Sequence, residues 1–316
     1  MNDKSIIIAE CCQNHNGKKE LLKKMIHMAA ENGADYVKIQ AIKSRDLSFR
    51  ERFENGEIDN EGLIKTIKRP YKAELERLEK LDLTLDDEFW FVRECKIAGV
   101  KSMTTIFTRT AVKEVSETGY DAIKIASYDC ASIPLLNDIK KLNKKMFIST
   151  GATYDSEIQE AVNNLKDVDF ELLHCVTIYP TPLNELHLNR IKFLKKFTPN
   201  VGYSDHSKPS KTGLMASKIA LALGATNIER HYTVLSENET KDGPVSINPE
   251  MLNQLRFFAD LNNSDQWEII NKDYPNWKVS LGNANRKLSH LELLNRDYYR
   301  GRFINRIGDN EFFNWA

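Results

Sequence analysis

The alternation of two kinds of segment constrains this chain more than any other feature. Short apolar stretches, "SIIIAE", "DYVKIQ", "VKSMTTIF", "DAIKIAS", "KKMFIST", "FELLHCV", "NVGYSD" and "ATNIERH", read as strands, and most are separated by one stretch of helical periodicity. After Gly17, Leu21, Leu22, Met25, Ile26 and Ala29 recur at helical spacing, and Gly33 stops the run. Further helices are read at "RTAVKEVSETG", "IPLLNDIKKLN", "DSEIQEAVNNLK", "LNRIKFLKKF" and "KTGLMASKIALALG". Strands separated by helices pair in parallel, because a parallel crossover needs a long connection and a helix is the usual one. Eight such units predict an α/β fold, a closed (β/α)8 TIM barrel over residues 1–265, rather than an open doubly wound sheet.

Two regions break the rhythm. Residues 41–80 are long and polar and read as an enlarged loop or lid, followed by a helix over residues 86–98 that carries Phe89, Trp90, Phe91 and Val92. Beyond residue 250 the pattern dissolves, and residues 266–316 read as a C-terminal extension whose Trp267, Trp277 and Trp315 imply docking rather than disorder. The 45 basic residues are matched by 45 acidic ones without a one-sided block, so neither nucleic acid nor an anionic membrane is indicated as partner. The five cysteines are odd in number and lack CxxC spacing, which fits a reducing cytoplasm better than a disulfide framework. The opening "MNDKSIIIAE" is too short an apolar stretch for a signal peptide, and no run of about 18 apolar residues is present to span a bilayer.

In a parallel barrel all C-terminal strand ends emerge on one face, where such folds build their active sites. The residues at those ends are almost all polar: Glu10; Lys38 and Gln40; Thr105; Lys124, Ser127 and Asp129; Ser149 and Thr150; His174 and Thr177; Ser204, Asp205 and His206; Glu229, Arg230 and His231. Lys38 and Lys124 lie inside apolar strand sequence, "YVKIQ" and "AIKIAS", where a charge is costly unless paired. Either lysine alone could be satisfied by an internal glutamate. Both together, with Ser127 and Ser149, make a site for a phosphate or carboxylate.

His206 and His231 end the seventh and eighth predicted strands, which are neighbours in a barrel. Two neutral imidazoles so placed can share a divalent metal; the alternative is one general base and one histidine bonded to Asp205 or Glu229. Glu10 and Asp129 share the face with the cations and could supply a general base and a hydroxyl clamp, or serve as structural partners of the lysines. Cys11 and Cys12 read as small packing residues, with Cys12 near enough to the mouth to be an extra metal ligand. His15 and His174 read as structural.

At this point "IIIAECCQNHNG", "ADYVKIQ", "IKIASYD", "FISTGA", "LLHCVTIYPTP", "VGYSDHS", "IERHYT" and "KDGPVSINPEM" together resemble the sialic acid synthases, which make N-acetylneuraminate and related nonulosonic acids. The resemblance runs from residue 5 to about 255 in consistent order. It implies a transferase that condenses phosphoenolpyruvate with an N-acetylmannosamine-type amino sugar and releases phosphate, using manganese or magnesium and no organic cofactor. Family positions place the metal on His206 and His231. They place phosphoenolpyruvate on Lys38, Lys124, Ser127, Ser149 and Ser204, the sugar on Glu10, Tyr179 and Asp242, and the catalytic carboxylate on Asp129, with Gln40 among the substrate contacts.

The chain departs from the family in four places. Asp129 stands where many members carry Glu, Cys11 and Cys12 replace a glycine-containing segment, and Thr177 replaces a frequent Asn or Ser. The C-terminal antifreeze-like domain, which in the family swaps between subunits and contributes an arginine, does not fit in the remaining length; Arg300 or Arg302 in "YYRGRF" is the expected substitute, against a solvated basic tail, and a homodimer becomes a weaker expectation. Two other functions compete. A related synthase acting on a phosphorylated sugar would need a further basic pocket, for which Arg45, Arg50 and Arg52 are candidates; a non-catalytic sugar-binding barrel would need none.

Overall fold

The structure, a computed structural model, describes residues 4–315. The reading of the N-terminus as leaderless bears on residues 1–3, which lie outside the described residues. The eight expected strands are present: Ile6–Cys12, Tyr36–Ala41, Lys101–Ile106, Ala122–Ile125, Lys145–Ser149, Phe170–His174, Val201–Asp205 and Asn227–His231. They close into a parallel barrel in chain order, the first strand pairing with both the second and the eighth.

Because side chains alternate along a strand, each barrel strand serves two environments. Ile7, Ala9, Val37, Ile39, Ile123, Ile148, Leu172 and Ile228 point outward and join the helices in one buried core. The opposite set, Ile8, Tyr36, Met103, Ala122, Phe147 and Leu173, forms a separate apolar layer, with Tyr36 and Phe147 edge to face at 5.7 Å. Fully burying one such side chain stabilises by roughly 1.5–3 kcal/mol.

The enclosing helices follow their local signals. Leu85–Ala98 starts at a capping box between Thr84 and Asp87 and ends at Gly99, whose φ of 76° favours glycine. Residues 41–80 are not wholly irregular: they hold a hairpin, Glu57–Ile58 with Ile64–Thr66, and the helix Tyr71–Glu79.

The C-terminal region is more regular than its hydrophobic pattern suggests. Pro249–Ala259, Asn263–Asp273 and His290–Tyr299 are helices, each started by a side chain, Asn248, Asn262 or Ser289, that accepts a backbone N–H. Leu252, Leu255, Phe258 and Ala259 recur at helical spacing in the first of them, a signal the sequence reading passed over, while the second is marked chiefly by its cap. Trp267 and Trp277 pack at 4.9 Å, and Asn295 donates to Thr177 O at 2.8 Å. Tyr299 stacks on Tyr128 at 4.8 Å, so the extension lies across the C-terminal mouth of the barrel. Among the described residues no helix is long and apolar enough to cross a membrane, and all five cysteines are free and buried.

Candidate active site

Two residues beyond the apolar layer, the same alternation brings polar side chains inward. Glu10 follows Ile8, Lys38 follows Tyr36, Thr105 follows Met103, Lys124 follows Ala122, and Ser149 follows Phe147. With Ser204 and Glu229 they line a cavity of about 440 Å³ at the barrel mouth. Lys38 contacts Glu10 directly, lies 3.8 Å from Glu229, and donates to Thr105 Oγ1 at 3.1 Å. Lys124 lies 3.4 Å from Glu229, which also accepts from Ser204 Oγ at 3.1 Å. The lysines are therefore both satisfied by internal glutamates and exposed to the cavity, and the two readings of them do not compete.

Burial pulls the Lys38 ammonium below its ordinary value, against the opposing pull of Glu229. Burial also pushes the Glu229 carboxyl up, but Lys124 and Lys38 together overcome it and hold the group at about 2, so it stays ionised. Glu229 Oε2 and Ser149 Oγ, both on the cavity, are buried without a hydrogen-bond partner. Orphaned buried polar atoms are rare in folded proteins, and a cluster of them on a cavity fits a site built for a polar ligand.

Above this layer the two histidine rings meet, 5.4 Å apart between centroids, with Tyr179 packed on His206 at 4.2 Å. His206 Nδ1 lies 3.1 Å from Val176 O; a carbonyl only accepts, so Nδ1 carries the proton and Nε2 keeps its lone pair. His231 Nδ1 is buried without a partner. Burial pulls both imidazoles down, His206 to about 3 with His231 adding to the fall, so both are neutral. Neither histidine is hydrogen-bonded to Asp205 or Glu229: Asp205 is taken up by Arg230 at 2.7 Å and Ser217 at 2.6 Å. Neutral rings, one with a fixed tautomer and one with an orphaned nitrogen, fit a divalent cation. A second grouping extends this, since Cys12, His231 and Asp242 place ligand atoms within 4.8 Å of one another.

Of the residues expected from sequence, Glu10, Lys38, Gln40, Lys124, Ser127, Ser149, Tyr179, Ser204, His206, His231 and Asp242 all line the cavity. Asp129 does not. Its carboxyl turns into a neighbouring void of about 20 Å³, where Asn314 Nδ2 donates to it at 3.0 Å and Arg300 stands nearby. The three-residue 3-10 turn Ser127–Asp129 that brings Ser127 to the cavity sends Asp129 under the C-terminal tail. Burial there pushes the Asp129 carboxyl up to about 7. His15 and His174 are structural, His15 Nδ1 accepting from Gly17 N and His174 Nε2 bonding Leu186 O.

The arginines expected to form an additional basic pocket face elsewhere. Arg45 pairs with Glu114, Arg50 donates to the Asp297 and Tyr298 carbonyls, and Arg52 pairs with Asp297. Instead the rim carries Arg69, Arg77, Lys241 and Arg302, with Glu74 paired to the last three. Of the two tail arginines, Arg302 lines the cavity, while Arg300 pairs with Glu157 at 2.8 Å. Sequence reasoning offered Glu229 only as a hydrogen-bond partner for a histidine; in the structure it pairs with Lys124 and Lys38 instead. Arg69 and Arg77 carry no strand-end signal, because a loop and a helix outside the barrel deliver them.

Fold and cavity thus define a (β/α)8 barrel with two buried lysines beneath a pair of neutral imidazoles at its mouth. A family model described as the NeuB family matches residues 25–263. The N,N'-diacetyllegionaminic acid synthase of Campylobacter jejuni is 35% identical over 266 residues, which cover 80% of this chain and 74% of that protein. The N-acetylneuraminate-9-phosphate synthase of Drosophila melanogaster is 31% identical, over 80% of this chain and 66% of that one. Among solved structures, the N-acetylneuraminic acid synthetase of Leptospira borgpetersenii, in complex with citrate, superposes with a TM-score of 0.71 at 27% identity, over 94% of this chain and 92% of that one. The chain belongs to the NeuB family.

Proposed function

We propose that this chain condenses phosphoenolpyruvate with an open-chain N-acylated mannosamine-type sugar, forming a nonulosonic acid and releasing inorganic phosphate. The observation that carries the reading is the convergence of Lys38 and Lys124 with Ser127, Ser149 and Ser204 on one cavity floor below His206 and His231.

Lys38 and Lys124 supply charge to the phosphate and carboxylate of the enol phosphate, and the unpartnered Ser149 hydroxyl supplies a hydrogen bond. Asp242 and Tyr179, on the wall of the same cavity, hold sugar hydroxyls, which sets the aldehyde carbon against C3 of the enol phosphate. His206 and His231 would hold a divalent cation, which would supply Lewis-acid polarisation of that aldehyde. Carbon–carbon bond formation leaves positive charge at C2, water adds there, and the tetrahedral intermediate expels phosphate by C–O cleavage. Of the two carboxylates offered by sequence as general base, Glu10 borders the cavity and Asp129 does not, so we assign the water's proton to Glu10. Arg302 lines the same cavity, where it pairs with Glu74.

The four cations on the rim favour a second form of this reading, in which the acceptor carries its own phosphate; one relative, the Drosophila protein, is named for a phosphorylated product. Phosphate release from phosphoenolpyruvate is measured with N-acetylmannosamine, its 6-phosphate and arabinose 5-phosphate, each with added manganese, and products are weighed by mass spectrometry. Turnover is expected with an N-acylated acceptor. Turnover of arabinose 5-phosphate alone refutes the reading, and no turnover with any acceptor favours a binding barrel.

A further inference from the structure

The first strand ends in two adjacent cysteines with different surroundings. Cys11 follows the barrel alternation outward into the helix-facing core. Cys12 does not continue it: pairing with the second strand slips between Glu10 and Cys12, and Cys12 has a φ of 40°, in the left-handed region. Its backbone N–H donates to Glu10 Oε1 at 2.6 Å, which fixes this turn at the edge of the cavity.

The consequence is a juxtaposition of three elements far apart in sequence. Cys12 Sγ from the first strand, a ring nitrogen of His231 from the eighth and a carboxylate oxygen of Asp242 from the following loop all fall within 4.8 Å of one another. His231 and Asp242 border the cavity, and Cys12 is buried beside them at 1% exposure. The Cys12 thiol is hydrogen-bonded to Asp242, and His231, only 8% exposed, leaves one ring nitrogen, Nδ1, buried without any hydrogen-bond partner. A thiol, an imidazole and a carboxylate at this spacing are the donor set of a first-row divalent ion.

We propose that Cys12 is a thiolate ligand of the divalent cation, acting with His231 and Asp242, so that the metal centre of this chain is a sulfur-containing one. The proposal rests on the metal-dependent reading of the site given above; it adds Cys12 to His231 and moves Asp242 from the sugar to the cation. As the metal–sulfur bond forms, the thiol proton leaves to solvent. Sulfur ligation shifts preference from magnesium, which favours oxygen donors, toward softer ions such as zinc or iron.

The test is cobalt substitution in the full chain. Cobalt bound to a thiolate shows an intense near-ultraviolet sulfur-to-metal charge-transfer band that nitrogen and oxygen ligands do not produce. At the φ of Cys12 glycine is the least strained replacement, so Cys12→Gly removes the thiol while suiting the backbone. The expected result is a charge-transfer band in the parent and its loss in Cys12→Gly, with cobalt affinity at least ~10-fold weaker by chelator competition, the scale seen when even supporting residues of a metal site are removed. Stoichiometric cobalt without the band, or a band that survives in Cys12→Gly, overturns the thiolate ligand and leaves the two-histidine reading standing. No cobalt uptake by the parent, together with phosphate release that is indifferent to chelator, overturns both.

Discussion

Within one barrel, two layers of inward side chains lie two residues apart along the strands and behave as different materials. In the lower layer Ile8, Tyr36, Met103, Ala122, Phe147 and Leu173 fill the interior. The charged neighbour of that layer, Glu171, is fully engaged: it accepts from Thr226 and Asn227 at 2.7 Å each, with Lys145 also at 2.7 Å. In the upper layer Glu10, Lys38, Lys124 and Glu229 meet around empty volume, and Glu229 Oε2, Ser149 Oγ and His231 Nδ1 have no partner. The lower layer gains its free energy on folding. The upper one leaves buried polar groups unpaired, a cost in stability that the proposed chemistry would explain.

The largest effects test that division directly. Phe147→Ala is expected to lose about 3–5 kcal/mol of stability by the cavity it leaves, while phosphate release per folded molecule changes far less. Lys124→Ala is expected to do the reverse. The buried Glu229 keeps Ser204 and, at 3.8 Å, Lys38, so only some stability is lost, and the dominant effect is on turnover, which falls by roughly 10²–10³ because charge developing on phosphate is no longer met. Urea unfolding and steady-state phosphate release on both variants decide the matter. If Lys124→Ala unfolds as readily as Phe147→Ala, the upper layer is structural and the contrast fails.

A smaller effect comes from Asp129, which sits beside the upper layer but outside its cavity. Burial raises this carboxyl from an ordinary 3.8 to about 7. Between those values the native state keeps a proton that the unfolded chain has lost, so the native state binds more protons and stability falls as pH rises through that window. Asp129→Asn removes the dependence, and Asn314 Nδ2 can still donate to the new amide oxygen. Relative to the parent the variant should gain about 1 kcal/mol or more by pH 8 and nothing at pH 4. Urea unfolding of both proteins at the two pH values measures the difference; a gap that does not widen with pH would show that the carboxyl is solvated.

Asp129 also shows where sequence reading reaches its limit. Strand-end positions are legible because the barrel delivers them to one mouth; of those listed from sequence, Glu10, Lys38, Gln40, Thr105, Lys124, Ser127, Ser149, Ser204, His206, Glu229 and His231 came to the cavity, while Thr150, His174, Thr177, Asp205 and Arg230, whose strand alternation was not sorted, did not. Asp129 follows its strand in a 3-10 turn, where that alternation no longer holds, and its direction is set by Asn314, 185 positions away. The same reason hid the rim. Arg69 and Arg77 reach the cavity from the long insertion and Arg302 from the tail, and no local pattern predicts which way a loop is folded back. The barrel itself was legible because eight repetitions of one unit leave few alternatives.

Ser149 provides the smallest and most selective test of the two layers. Its Oγ is buried and has no hydrogen-bond partner, so replacing it with alanine removes an unpaired polar group and should leave stability unchanged or slightly raised. The same hydroxyl faces the floor where the enol phosphate is proposed to bind, and a hydrogen bond to a charged group contributes about 1.5–3 kcal/mol. Ser149→Ala should therefore raise the KM for phosphoenolpyruvate by about tenfold or more while the melting temperature does not fall. One residue earlier on the fifth strand, Ile148 faces the outer core, and Ile148→Ala should give the opposite pair of readings: lower stability with KM unchanged. If both variants lose stability and neither changes KM, the Ser149 hydroxyl belongs to the packing of the barrel and the cavity floor has a different ligand.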